Sequence, residues 1–130
     1  MTKITAHIGA ANYRTEIRSA TNTIISDEPE SAGGIDLGFS PYELLASSLA
    51  ACTCITLRMY ANRKGWELKD VKVEVYFEEE TRENTTKITR TIELFGNLGQ
   101  DQKDRLLNIA NKCPIHKILS NTIEVKSELK

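Results

Sequence analysis

Three cysteines carry the nucleophilic and redox chemistry open to this chain, and two of them lie in its longest apolar run. Cys52 and Cys54 close the segment Ser40-Pro41-Tyr42-Glu43-Leu44-Leu45-Ala46-Ser47-Ser48-Leu49-Ala50-Ala51-Cys52-Thr53-Cys54, while Cys113 stands far downstream in Lys112-Cys113-Pro114-Ile115-His116. A thiol inside a buried helix is often only a small hydrophobe. Two thiols delivered by distant helices, each where it can be activated, point to redox chemistry instead.

Helical geometry separates the first pair. Two residues apart on a helix means side chains about 200° apart, so Cys52 and Cys54 neither bond to each other nor chelate one metal. Cys52 shares a face with Leu45, Leu49, Thr56 and Met59; Cys54 shares one with Ala50, Arg58 and Ala61 and reads as packing. Cys113 precedes a helix-opening proline and so takes the N-cap, where free backbone N–H groups and the positive end of the helix dipole favour a thiolate. Spacing alone leaves two roles open for Cys113, a cap filler or a reactive thiol. Cys113 and His116 supply two metal ligands where a closed zinc site needs four, so no metal is expected. His116 reads as a solvated residue of a Lys-flanked turn. Arg14, Arg18 and Arg58 read as surface charges whose stems lie along the protein. Glu43 is either the capping acid of the first helix or an acid near a pocket that orients an arginine or a substrate.

The elements that must position these groups follow from period and punctuation. Residues 3–8, 13–18 and 22–26 alternate at period two and read as strands. Residues 27–40, with Pro29, three glycines and four acids, form a loop. Ser40-Pro41-Tyr42-Glu43 is a helix start with a capping box, and the helix runs to about Lys64 with Gly65 as terminator. Strands follow at 71–77 and 87–94, joined by a hairpin loop from Glu78 to Thr86. Gly96 and Gly99 bracket a turn, an amphipathic helix covers 100–112, a short helix covers 115–119, and a last strand covers 122–126. The order β-β-β-α-β-β-α-α-β is an α+β fold, expected as a single domain over 1–130.

Composition narrows the function. The chain has 130 residues, 40% of them hydrophobic and 27% charged, which suits one soluble domain with its own core. A net charge of −1 without a basic block excludes nucleic acid and anionic membrane as expected partners. The start of the chain lacks a signal-like apolar run, so the expected compartment is the cytoplasm. There, three cysteines do not read as a disulfide framework. The uncharged run from Leu44 to Leu57 is shorter than the roughly 20 residues of a membrane span and reads as a core helix.

Ser-Pro-Tyr-Glu-Leu-Leu-Ala-Ser-Ser-Leu-Ala-Ala-Cys-Thr at 40–53, with Lys-Cys-Pro-Ile-His-Lys at 112–117, resembles the OsmC/Ohr family of osmotically inducible and organic hydroperoxide resistance proteins. The resemblance extends to the Asp-Glu-Pro…Gly-Gly loop at 27–34, to Leu-Arg-Met-Tyr-Ala at 57–61 and to Gly-Asn-Leu at 96–98. It implies an intertwined homodimer, with two central helices enclosed by sheets built partly from each partner and sites at the interface. It also implies a cysteine-based peroxidase for organic hydroperoxides, with no metal or cofactor. In that scheme Cys52 resembles the peroxidatic and Cys113 the resolving cysteine, and an external thiol, a lipoyl dithiol by the same resemblance, reduces their disulfide. Family members carry a glutamate directly after the proline. Here Tyr42 occupies that place and Glu43 follows, turned about 100° around the helix. Arg14 is the nearest candidate for the family's thiolate-stabilising arginine. The resemblance is to a divergent subgroup, and the alternative function is a non-catalytic protein that binds a small apolar or electrophilic ligand in the interfacial pocket.

Overall fold

The period-two segments at the start of the chain become three short strands, β1 (Thr5–Ile8), β2 (Thr15–Arg18) and β3 (Thr23–Ser26), in an antiparallel sheet of order β1-β2-β3. Ala6, Ile17 and Ile24 stand opposite one another across the three strands, so the apolar positions of the pattern share one face. A computed structural model describes residues 1–78 and 85–130 and divides the chain into two compact units, 1–45 and 46–130.

The first unit is organised by a residue whose position in the loop gave no hint of burial. Asp27 is 2% exposed, and its carboxylate accepts the backbone N–H groups of Glu28 (2.8 Å), Leu37 (3.2 Å) and Ile35 (3.3 Å). One side chain thus gathers the whole Pro- and Gly-rich loop by satisfying donors that no ladder pairs. The next residue back, Ser26, donates its hydroxyl to the Phe39 carbonyl at 2.7 Å, closing the loop's base. Ser40 then caps α1 (Pro41–Lys64): its Oγ accepts the Glu43 N–H at 3.2 Å, and Glu43 Oε1 accepts the Ser40 N–H at 3.0 Å. The expected capping box is formed.

In the second unit α1 buries Leu49, Thr53, Leu57, Tyr60 and Ala61, a stripe at spacings of three and four. By length and composition the helix is apolar enough to cross a membrane, but this buried stripe makes it the spine of a core. It ends at Gly65, whose φ of +69° only glycine adopts without strain. β4 (Glu67–Phe77) and β5 (Ile88–Asn97) pair antiparallel, both longer than the alternation suggested. Gly96 belongs to β5 instead of opening the turn after it. It faces Leu68 at a bulge with φ +141°, and a Cβ there would collide with the Glu67 carbonyl. The expected loop from Glu78 to Thr86 lies outside the described residues at 79–84.

Next come α2 (Gln100–Ala110), where Gln102 Oε1 accepts the Gly99 N–H at 2.9 Å, and α3 (Pro114–Leu119). Leu57, Tyr60, Ala61, Leu68, Leu106 and Ala110 form the core, with Trp66, Ile92 and Leu94 packed against it. Removing a leucine such as Leu57 or Leu106 from water contributes roughly 1.5–3 kcal/mol. Arg105 Nε donates to the Tyr60 hydroxyl at 3.0 Å, fastening α2 to α1. That hydrogen bond, together with the charges of Arg105, Lys64 and Arg63, outweighs burial and holds the Tyr60 hydroxyl below the usual tyrosine range. Arg58, expected as a surface charge, donates to the Leu68 and Lys69 carbonyls at 2.6 and 3.0 Å and so braces the β4 bulge.

The α+β fold is as expected, with one correction: residues 122–126 form no strand. Their alternation is real, with Ile123 and Val125 exposed, but a strand requires a ladder partner, and none is present among the described residues of the single chain.

Burial works against the charged form of Asp27, yet the backbone donors of Leu37, Glu28, Ile35 and Tyr13 prevail and hold its pKa below the ordinary aspartate value. A carboxyl depressed in the folded state stabilises it fully above the unfolded pKa, and that stabilisation is lost as pH falls through the folded value. Urea midpoints should therefore drop below about pH 4. Asp27→Asn should lower the midpoint at neutral pH and flatten this acid dependence.

Candidate functional site

Cys113 occupies the N-cap of α3, as its place before Pro114 requires, with φ −65° and ψ 146°. Its side chain is fully buried, and Sγ accepts the His116 backbone N–H at 3.4 Å. A second donor approaches from the sheet: Nη1 of Arg90, on β5, lies 4.0 Å from the same sulfur. Two N–H donors, one from the α3 backbone and one from a guanidinium, thus face one buried sulfur.

Arg90 does more than face the thiol. Nη1 also donates to Thr53 Oγ1 at 3.1 Å and to the Ala110 carbonyl at 3.3 Å, and Nη2 donates to Asn111 Oδ1 at 2.9 Å. One guanidinium thereby joins α1, the C-terminal end of α2 and the start of α3. Thr53 is itself fully buried and donates its hydroxyl to the Leu49 carbonyl at 2.7 Å, which fixes the acceptor that Arg90 uses. Thr53 is the residue after Cys52, so the guanidinium ties the Cys52-bearing turn of α1 to Cys113.

Cys52 itself is half-buried, with Sγ 3.9 Å from Thr56 Oγ1 one turn on. Cys54 is half-buried on another face, and burial pushes its thiol pKa up, which suits the packing role expected of it. All three cysteines are free thiols. Glu43 is engaged in the capping box, and Arg14 is exposed just ahead of β2. The arginine that reaches a thiol is Arg90. Sequence reasoning missed it, although the signal was present: in Ile88-Thr89-Arg90-Thr91-Ile92-Glu93-Leu94 the arginine falls on the apolar, half-buried face of an alternating strand. A charge on that face needs acceptors inside the protein.

Beside this cluster lies a cavity of about 490 Å³ lined mainly by Leu49, Ile88, Arg90, Leu107, His116 and Leu119. His116 is half-buried there, not solvated as expected, because starting α3 at Pro114 turns 115, 116 and 119 inward together. The lining is mixed: Leu49, Ile88, Ile92, Leu107 and Leu119 form its apolar part, and Thr86, Thr91, Asn111 and Ser120 join Arg90 and His116 on its polar part, a setting for a small molecule with an apolar body and a polar end. Among the described residues no group of three or more His, Cys, Asp or Glu side chains is placed to hold a metal ion.

The sequence model of the OsmC-like protein family matches residues 33–128. The chain belongs to the OsmC family. Solved structures agree on the fold. An OsmC-like protein of Mycoplasma pneumoniae aligns with a TM-score of 0.78 at 21% identity, over 92% of this chain and 86% of that one. An organic hydroperoxide resistance protein OsmC of Legionella pneumophila gives 0.67 at 25% identity, over 97% and 93%. The organic hydroperoxide resistance protein OhrB of Bacillus subtilis gives 0.63 at 26% identity, over 100% and 98%. No curated protein matches the chain.

With its pKa raised by burial, Cys54 holds little thiolate at neutral pH. Iodoacetamide should therefore label Cys54 slowly at about pH 7, and raising the pH by about two units should speed Cys54 labelling by roughly fiftyfold or more, read by peptide mass mapping.

Proposed function

We propose that this protein is a cysteine-based peroxidase that reduces organic hydroperoxides to alcohols. The observation that carries the proposal is the Arg90 bridge, which links the residue after Cys52 to the sulfur of Cys113. Family membership supports it, as do the two relatives that are organic hydroperoxide resistance proteins. In this scheme the Cys52 thiolate attacks the terminal oxygen of the hydroperoxide and the O–O bond breaks. The alkoxide takes a proton and leaves as alcohol, and Cys52 becomes a sulfenic acid. The Cys113 thiolate then attacks the Cys52 sulfur, releasing water and forming the disulfide. An external thiol, such as a lipoyl dithiol, returns both cysteines to the reduced state by exchange. The aliphatic side of the cavity, from Leu49, Ile88, Ile92, Leu107 and Leu119, favours an organic substrate over hydrogen peroxide. Glu43, held by its capping bonds at the start of α1, serves as the acid that orients substrate or a cation. Both units act as one catalytic domain in the cytoplasm, where a reduced thiol pool sustains turnover.

The same proposal includes a homodimer. Cys52, Ile55 and Met59 lie along one face of α1 at spacings of three and four, and Ile55 and Met59 are 57% and 67% exposed. An apolar stripe of this period on a long helix suits packing against a second copy, with Cys52 at the seam. The cavity also admits a second reading, a non-catalytic protein that holds a small apolar or electrophilic ligand there with Cys52 as sensor or packing residue.

One equivalent of cumene hydroperoxide should consume two thiols and yield a Cys52–Cys113 disulfide by peptide mass spectrometry. Cys52→Ser should abolish turnover to the uncatalysed background. Oxidation of Cys52 no faster than Cys54 would sink the peroxidase proposal in favour of ligand binding. In size-exclusion chromatography with light scattering, the protein should elute as a dimer, and Ile55→Asp should shift it toward monomer.

A further inference from the structure

Resting on the hydroperoxide chemistry above, we propose that Arg90 is a positioning residue for the second chemical step, the condensation of Cys113 with oxidised Cys52. The reasoning begins with burial. Cys113 is fully buried, so its sulfur reacts only with a partner the fold brings to it. Cys52 lies on α1 and Cys113 at the start of α3, and α1 and α3 are separated in sequence by the whole β4–β5 hairpin and α2. Arg90 spans the gap. Its Nη1 holds Thr53 Oγ1 on one side and faces Cys113 Sγ on the other, and the Ala110 carbonyl and Asn111 Oδ1 anchor the peptide that leads into Cys113. The Thr53 hydroxyl is pinned in turn by the Leu49 carbonyl, so the acceptor cannot swing away when α1 flexes.

The step it serves is Cys52–SOH plus Cys113–S⁻ plus a proton, giving Cys52–S–S–Cys113 and water. The Cys113 sulfur supplies the electron pair, the sulfenic sulfur is reduced, and the S–O bond breaks. The competing step is attack by a second hydroperoxide on the sulfenic acid, which produces a sulfinic acid that thiols do not reverse. Intramolecular condensation wins this race only while the two sulfurs are held in an attacking geometry. Arg90 therefore governs resistance to over-oxidation through its hold on Thr53 and Cys113.

Two readouts test this. In rapid-quench mass spectrometry with excess cumene hydroperoxide, Arg90→Met should form disulfide about tenfold more slowly than the parent and accumulate Cys52 sulfinic acid. In a Cys113→Ser background, where only the first step occurs, Thr53→Val, which lies outside the cavity lining, should oxidise Cys52 at the parent rate. Thr53→Val, which keeps the shape of the side chain and removes only the hydroxyl, should raise sulfinic acid in the same direction and replaces Arg90→Met if that variant does not fold. Arg90→Lys should rescue part of the disulfide rate. Disulfide formation at the parent rate in both Arg90→Met and Thr53→Val overturns the assignment while leaving the peroxidase proposal intact. Slowed first-step oxidation by Thr53→Val in the Cys113→Ser background overturns it too. Failure of the unsubstituted protein to oxidise Cys52 removes the peroxidase proposal and, with it, this one.

Discussion

A guanidinium on the apolar face of a strand must find acceptors inside the protein, and the ones Arg90 finds determine how the second unit is arranged. Its donors reach a hydroxyl on α1, a carbonyl and an amide oxygen at the end of α2, and a thiol at the start of α3. Leaving such a group unpaired costs far more than a typical hydrogen bond returns, so the three helices are constrained to present oxygen and sulfur to one point. Apolar contacts among Leu57, Leu106, Leu68 and their neighbours supply most of the favourable free energy, but they are tolerant of small shifts. The polar cluster is not tolerant, and it fixes the register of the thiol-bearing turns.

The local signals in the sequence were the ones that translated directly. Ser40, Pro41 and Glu43 announce a capped helix because each acts within a few residues, and the same holds for Cys113 before Pro114. Groups whose partners are remote in sequence were harder to see. Arg90 needed the face of its strand to be asked about, not only the strand's existence. Asp27 looked like one more acid in a polar loop, yet it is the nucleus around which that loop closes. Arg58 and His116 were likewise assigned to solvent because their acceptors and neighbours come from elements far along the chain.

The segment 122–126 illustrates the reverse case. Its alternation is sound, but period two expresses only a capacity to pair, and pairing is a property of two segments. α1 shows a related tension. One stripe is committed to the core, while another, with Ile55 and Met59, remains apolar and exposed. That second stripe is the one the proposed homodimer would cover.

The burial of Cys113 carries a consequence for chemical traffic. A thiol with no solvent access is invisible to diffusing oxidants, alkylators and small disulfides, however nucleophilic it is. In the proposed peroxidase it would react only through a protein sulfur that arrives at its cap. Order of events is then enforced by access, so the chain would separate a receiving thiol from a donating one by where each is hidden.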